Sequence, residues 1–432
     1  MEIQTHHFPN GCRVVFQKST QSTPLTSLRV FCDVGSAYEQ DGLRGVSHFV
    51  EHMCFKGTEH IENTRKLLLQ YNEMGASFNA YTDKRVTYFA ANCEDTVVPR
   101  CIKLLSDMML HSTFPKKEFN KEQKVVVEEN IRAEDNHTEV LQDIMEGMLF
   151  RGSSYENQVD HISFHRRAMK EKDIYQWYRW FYQPSNIIWS IVSHLPFSTL
   201  LSMIQSSDMT ATVVESDPPL LALSAPILAL RPISKRIHCI PKKGMSTTMI
   251  QVAFRTCSRV SPDKHTLNLL SMVLRGFSGI LFTVFRTQQG LTYRSECNTD
   301  YYEHAGYFSI YVQTDPRKLL LVLETIIQLL LDLKRRGVSS EELTLAKSKM
   351  KGMLLVNQQS MDTIAVYNGY ESIHGTEVVP YQELYSRFYR RITAQQINEV
   401  IQTYLCQENM VVGILQSGEF PGRIEEICNR FH

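Results

Sequence analysis

The sequence predicts an α+β protein of two similar domains, each an antiparallel-rich sheet with helices packed on one face, joined by a linker. Three observations predict it. The chain has 432 residues, about the length of two ordinary domains. Residues 206–232 hold Ser206-Ser207, Pro218-Pro219 and Pro226 around a Leu/Ala-rich run with no clean period, the composition of a connection. On either side of it, the same order of elements occurs twice. The expected division is a first domain over 1–205, a linker over 206–232 and a second domain over 233–432.

Taken in order, each half opens on a β-rich run, LTSLRVFCDVG from Leu25 and later TTMIQVAFRTC from Thr247. A helix-like segment follows each, and then a pair of strands. The first pair is SFNAYTD with VTYFAANC; the second is YRSECNTDYYE with GYFSIYVQT. Each half then gives two long helical patterns around a short turn. These are VVPRCIKLLSDMMLHSTFPKKEFNKEQKVVVEEN and LLLVLETIIQLLLDLKRRGVSSEELTLAKSKMKGML. The repeat is one of pattern more than of identity, which is what a shared scaffold with diverged surfaces produces.

Composition narrows the class. Apolar residues are 43 % and charged residues 21 %, a globular profile. Lys plus Arg and Asp plus Glu stand at 46 each, so no overall basic field favours nucleic acid or an anionic membrane. The run Lys334-Arg335-Arg336 reads as the basic end of a helix. Ten cysteines are scattered without a CxxC pair, which argues for reduced, mostly buried thiols in a reducing compartment. The first residues, MEIQTHHFPNGCRVVF, have no apolar core of a signal peptide, and no apolar run is long enough to span a bilayer. A cytoplasmic protein that binds neither membrane nor nucleic acid is expected.

The segment GVSHFVEHMCFKG places His48 and His52 four residues apart with Glu51 between them. On a helix those positions share a face, so two imidazoles can converge on one cation. Zinc takes imidazole nitrogen, a third protein ligand and an open position. A carboxylate beside it can accept a proton from water, which is the inverted H-x-x-E-H arrangement. His161 and His165 share the four-residue spacing but enclose no carboxylate, and they read as structural.

The third ligand is expected from another element. The helix KEQKVVVEENIRAEDN offers Glu122, Glu128 and Glu129. Glu122 and Glu129 project from nearly the same face, two turns apart, whereas Glu128 points about 100° away from Glu129. Such a face can put Glu129 on the metal and Glu122 behind a ligand. A solvated acidic face is the alternative for such a helix. The repeat sharpens the case. Laying the halves over one another sets Leu267, Leu270 and Ser271 opposite His48, Glu51 and His52, and Ala346 and Met353 opposite Glu122 and Glu129. All five polar residues are replaced together, as expected of a set that acts as a unit. The ligand set favours zinc, one per chain, while cobalt or manganese would also be accepted.

HFVEHMCFKGT, MGASFNAYTDKRVTYF and EQKVVVEEN, with the long spacer between His52 and Glu129, resemble the pitrilysin/insulinase family of metallopeptidases. LFTVFRTQQGLTY in the second half is similar to that family's Arg-to-Tyr segment, and the resemblance runs from PNGCRVVF to the last helices. It implies His48, His52 and Glu129 as zinc ligands, Glu51 as general base and Glu122 as the carboxylate behind them. It implies that Arg286 and Tyr293 reach the substrate carbonyl, where a developing oxyanion wants donors. It also implies that Ser77, Phe78, Asn79, Ala80, Tyr81 and Thr82 form an edge strand onto which an extended peptide adds by main-chain pairing. The stretch SYENQVDHISFHRR lacks the glycines expected there, so the specificity pockets are not implied by the family.

Long members of that family fuse two such halves into a chamber, and this chain resembles one half. The resemblance therefore implies a peptide substrate and a homodimer in which Arg286 and Tyr293 act on the partner's site. A heterodimer with a related chain, in which this chain is catalytic, is the second expectation. A non-catalytic assembly subunit is the third.

Overall fold

The computed structural model describes residues 2–40, 42–159, 169–210, 230–288 and 290–431. Most of the expected linker, and His161 and His165, lie outside them. In chain order the elements begin β1 (Ile3–His7), β2 (Arg13–Lys18), β3 (Leu25–Cys32), α1 (Val46–Met53), α2 (Thr64–Glu73), β4 (Ser77–Thr82) and β5 (Thr87–Glu94). Then come α3 (Val98–Leu110), α4 (Lys116–Asp135), α5 (His137–Leu149), α6 (Glu171–Phe181), β6 (Ile187–Ser193) and α7 (Phe197–Gln205). The second half gives β7 (Ile237–Pro241), β8 (Thr248–Thr256), α8 (Asp263–Leu274), β9 (Thr292–Tyr301), β10 (Gly306–Thr314) and α9 (Leu319–Arg336). It ends with α10 (Ser340–Asn357), α11 (Met361–Ile373), α12 (Ala394–Tyr404) and β11 (Met410–Gln416).

Two sheets result, one in each of two compact units. The first runs β1-β2-β6-β3-β5-β4 and the second β7-β11-β8-β10-β9. Without β1 the two orders are the same, strand for strand. In each, one parallel pair (β2 with β6, β7 with β11) sits in an otherwise antiparallel sheet. The two similar α+β domains expected from the repeat are present.

The units are discontinuous in sequence. The first comprises 1–132, 157–226 and 355–382, and the second 133–156, 227–354 and 383–432. The reason is visible in the strand pattern of the first unit. Leu28, Val30 and Cys32 of β3, with Trp189 and Ile191 of β6, turn to the main helical layer. Phe31 and Ile188, one residue out of step, turn the other way, with Val15 of β2. Both faces of these strands are apolar, so both need cover. The second face is covered by α11, whose Ile373 joins Phe31, Val15 and Ile188 and whose Ala365 carbonyl accepts from Ser190 Oγ at 2.6 Å. The expectation of helices on one face is corrected in this respect. The main layer lies on one face, and among the described residues α11 lies on the other.

That approach is close. A Cβ built on Gly369 of α11 would fall 2.0 Å from Phe31 Cε2, so only glycine fits. In the second unit α5 plays the matching part, with Met145 Sδ 2.5 Å from where a Cβ on Gly413 would stand. All ten cysteines are unpaired, and eight of them are buried. Among the described residues no helix is long and apolar enough to cross a membrane.

Candidate metal centre

The candidate centre is built on α1, a helix of eight residues, too short to be stable by itself in water. Packing holds it. Val46, Phe49, Val50 and Met53 recur at helical spacing and are fully buried. Gly45 precedes it with φ +86°, and the free N–H groups of the first turn find a carboxylate. Glu39 accepts from Gly45 N at 2.6 Å through Oε2 and from Ser47 N at 2.9 Å through Oε1. Burial pushes the Glu39 carboxyl up to about 7 even though those two bonds favour its ionised form. The Glu39 carbonyl is held in turn by Asn157 Nδ2 at 2.9 Å.

With its apolar stripe fixed inward, α1 turns His48 and His52 to one side. Their rings meet edge to face at 4.5 Å, and the two Nε2 atoms stand 3.0 Å apart. The facing element is α4, whose buried stripe is Phe119, Glu122, Val126 and Asn130. Glu122 Oε1 lies 2.8 Å from His52 Nδ1, and Glu129, two turns on, brings Oε2 to 3.3 Å from His52 Nε2. Glu128, on the other side of the helix, is exposed. His48, His52 and Glu129 are the one group among the described residues whose ligand atoms converge on a common point, all within 4.8 Å of one another.

The arrangement fits zinc on chemical grounds. With Nδ1–H of His52 committed to Glu122, its Nε2 presents a lone pair toward the Glu129 carboxylate. Two acceptors at 3.3 Å repel unless a cation or proton compensates them. Tetrahedral ligands at zinc bond lengths stand about 3.3 Å apart, close to the two separations observed.

Glu122 is nearly closed off from solvent, yet Lys56 Nζ reaches its Oε2 at 2.6 Å. Burial raises its pKa, but the bonds to His52 and Lys56 outweigh it and hold the carboxyl below its ordinary value. Glu51 sits on the same helix as both histidines and is buried. Its Oε2 accepts from Thr82 Oγ1 at 2.6 Å, and Thr82 also reaches Thr87 Oγ1 at 3.2 Å.

Thr82 ends β4, which lies at the edge of its sheet and pairs only with β5 among the described strands. Along β4, Ser77, Asn79 and Tyr81 are exposed, while Phe78 and Ala80 are half-buried and the Phe78 ring stacks on Tyr71 at 4.4 Å. Arg286 and Tyr293 belong to the second unit. The Arg286 guanidinium lies over the Phe282 ring at 5.8 Å, and Tyr293, near the start of β9, is exposed. The two line one pocket there.

Three contacts were not foreseen from sequence. Lys56 stands one helical step beyond His52, so its pairing with the face of Glu122 had a local signal. Thr82 is expected from the sequence as part of the peptide-pairing edge strand, not as a partner of Glu51. Glu39 had no signal at all, because its role depends on a loop that returns it to the start of α1.

The family described as insulinase (peptidase family M16) matches residues 13–161. That described as peptidase M16 inactive domain matches residues 168–350. The chain belongs to the insulinase family of peptidases. The inactive-domain match includes α8, where Leu267, Leu270 and Ser271, all buried, stand at the positions matching His48, Glu51 and His52. Among relatives, an uncharacterized zinc protease, YmxG, of Bacillus subtilis is 24 % identical over 97 % of this chain and 100 % of its own length. The mitochondrial-processing peptidase subunit beta of Rattus norvegicus is 23 % identical over 99 % of this chain and 87 % of its own. The crystal structure of a protease from Helicobacter pylori has the same fold, with a TM-score of 0.88 at 19 % identity over 96 % of this chain and 99 % of that one. The periplasmic protease PqqL of Escherichia coli matches with a TM-score of 0.82 at 17 % identity, over 99 % of this chain but 50 % of that one. This insulinase-family chain thus spans nearly all of the Helicobacter pylori protease and about half of PqqL.

Proposed function

We propose that the chain is a zinc-dependent endopeptidase that cuts extended, unfolded peptides, with His48, His52 and Glu129 as ligands and Glu51 as general base. The observation that carries this reading is the convergence of His48, His52 and Glu129 beside a buried carboxylate on the same helix. A zinc ion in this ligand set supplies Lewis-acid polarisation of a water and of a peptide carbonyl. Glu51, held by Thr82 and positioned on the same helix as both histidines, takes a proton from the attacking water and returns it to the leaving amine. Glu122 keeps the His52 ring oriented and its Nδ1 protonated.

The open edge of β4 suits a substrate strand added by backbone pairing, with Thr82 joining that edge to Glu51. Arg286 and Tyr293 are read as donors to the substrate carbonyl, acting in a homodimer on the partner's site. A heterodimer with a related chain is the variant of this reading that names such as "subunit beta" among the relatives support. The unpaired cysteines fit a reducing compartment, and the cytoplasm is the location inferred.

The test is cleavage of a mixed pool of unstructured peptides by the purified chain alone, with Glu51→Gln in parallel. Cleavage that a chelator and Glu51→Gln both abolish supports the reading. A folded, zinc-loaded chain that cuts nothing, alone or with a related chain added, would leave an assembly role instead.

A further inference from the structure

The second unit keeps a cation from the metal centre's pattern and loses the carboxylates that would neutralise it. In the first unit, the turn after α1 carries Lys56-Gly57, and Lys56 is paired with Glu122 at 2.6 Å. In the second, α8 ends in Arg275-Gly276, and the positions matching Glu122 and Glu129 are Ala346 and Met353. Arg275 Nη2 therefore meets Met353 Sδ at 3.2 Å, and no carboxylate is paired with it among the described residues. A guanidinium has far more donor capacity than a thioether can satisfy.

Arg275 lines an open pocket of about 480 Å³ with two further guanidiniums, Arg286 and Arg294. Arg294 is neutralised by Glu296 at 2.6 Å. Arg286 rests over the Phe282 ring and has no carboxylate partner among the described residues. Phe277, 87 % exposed, and Tyr293, 66 % exposed, add aromatic wall, and Thr292, Ser295 and Asn298 add polar groups beside the paired Glu296. Behind the pocket, Lys349 Nζ donates to the carbonyl of Met272 at 2.6 Å and also to that of Arg275, adding positive potential rather than removing it. Two unneutralised guanidiniums in one concavity of mixed aromatic and polar wall are a receptor for a carboxylate on a peptide, because a guanidinium binds a carboxylate through paired N–H donors.

We propose that the Arg275–Arg286 pocket is a specificity subsite for a carboxylate of the substrate peptide. This rests on the peptidase reading above and adds a substrate preference to it. The carboxylate can belong to an Asp or Glu side chain or to the peptide's own C-terminus.

The experiment uses the full chain carrying Glu51→Gln and four fluorescent peptides of one length and backbone sequence. They bear Glu or Gln in the middle and a free or amidated C-terminus, and binding is read by anisotropy. The expected result is about tenfold tighter binding of a peptide with a carboxylate than of its neutral counterpart, in proportion to one charge-assisted contact. The Glu/Gln pair and the free/amidated pair report which source is used. Arg275→Gln is expected to bring the ratio near one, and Arg275→Lys to retain part of it. Equal binding of charged and neutral peptides, or a preference that survives Arg275→Gln, overturns the subsite. If all four peptides bind equally and the unmutated chain cuts them, only the subsite falls. If none binds, the peptidase reading falls with it.

Discussion

Thr82 Oγ1 lies 2.6 Å from Glu51 Oε2, so the last residue of an exposed strand edge donates directly to the buried carboxylate of the helix that carries His48 and His52. The bond ties the place where a peptide would lie to the group that would move its proton. Thr82→Val keeps the shape and removes the donor. Cleavage is expected to fall about tenfold in kcat with little change in KM, the cost of one hydrogen bond to a charged group. Steady-state kinetics on one peptide checks this.

Glu122 holds His52 through Nδ1 and is itself held by Lys56. Glu122→Gln is expected to leave the three ligand residues in place and weaken zinc binding by roughly 10–100-fold, the range typical of lost partners behind a metal ligand. Competition with a chromophoric chelator measures it. Lys56→Met should act in the same direction and less strongly, since it frees Glu122 without removing it.

Glu39 gives a pH dependence with a definite sign. Its folded value of about 7 stands above the ordinary 4.5, because burial outweighs the two N–H bonds. Below about pH 4.5 the carboxyl is protonated in both states and contributes no difference. Between 4.5 and 7 the unfolded chain releases its proton first, so stability falls as pH rises, and above 7 the loss is complete. Urea titrations of chelator-treated protein at pH 5 and pH 8 are expected to show a larger drop for the unmutated chain than for Glu39→Gln. The excess is at most about 3 kcal/mol.

Gly369→Ala places a methyl group where the Phe31 ring already is. Overpacking of this kind costs about 1–3 kcal/mol, and the midpoint of urea unfolding should fall with no change in slope. Phe31→Leu in the same chain is expected to recover part of the loss, because it withdraws the ring from the contact.

The fold was legible where a period carried it. The β-rich composition of LTSLRVFC and GYFSIYVQT gave strands β3 and β10, and the long helical patterns gave α3, α4, α9 and α10. The doubled order of elements became two sheets of one topology. What the pattern hid was the second apolar face. Phe31 and Ile188 read as parts of strands in either case, and nothing local says that α11, more than 300 residues beyond Phe31, supplies their cover. At the candidate centre, His48, Glu51, His52, Glu122 and Glu129 could be picked out because helix geometry relates spacing to direction. Glu39 and Thr82 could not, since each meets its partner through a turn of the chain that no spacing rule reaches.

The exchange of α5 and α11 between the halves has a consequence for synthesis. The first sheet has one face finished early, but Phe31, Val15 and Ile188 wait for a helix that ends at Ile373. A ribosome delivers that helix only after about 170 residues beyond β6 have been made. The first unit therefore keeps an uncovered apolar face from the completion of β6 until α11 is made, some way into the second half of the chain. A folding helper acting on the nascent chain would find its binding surface there, and it would lose that surface when α11 docks.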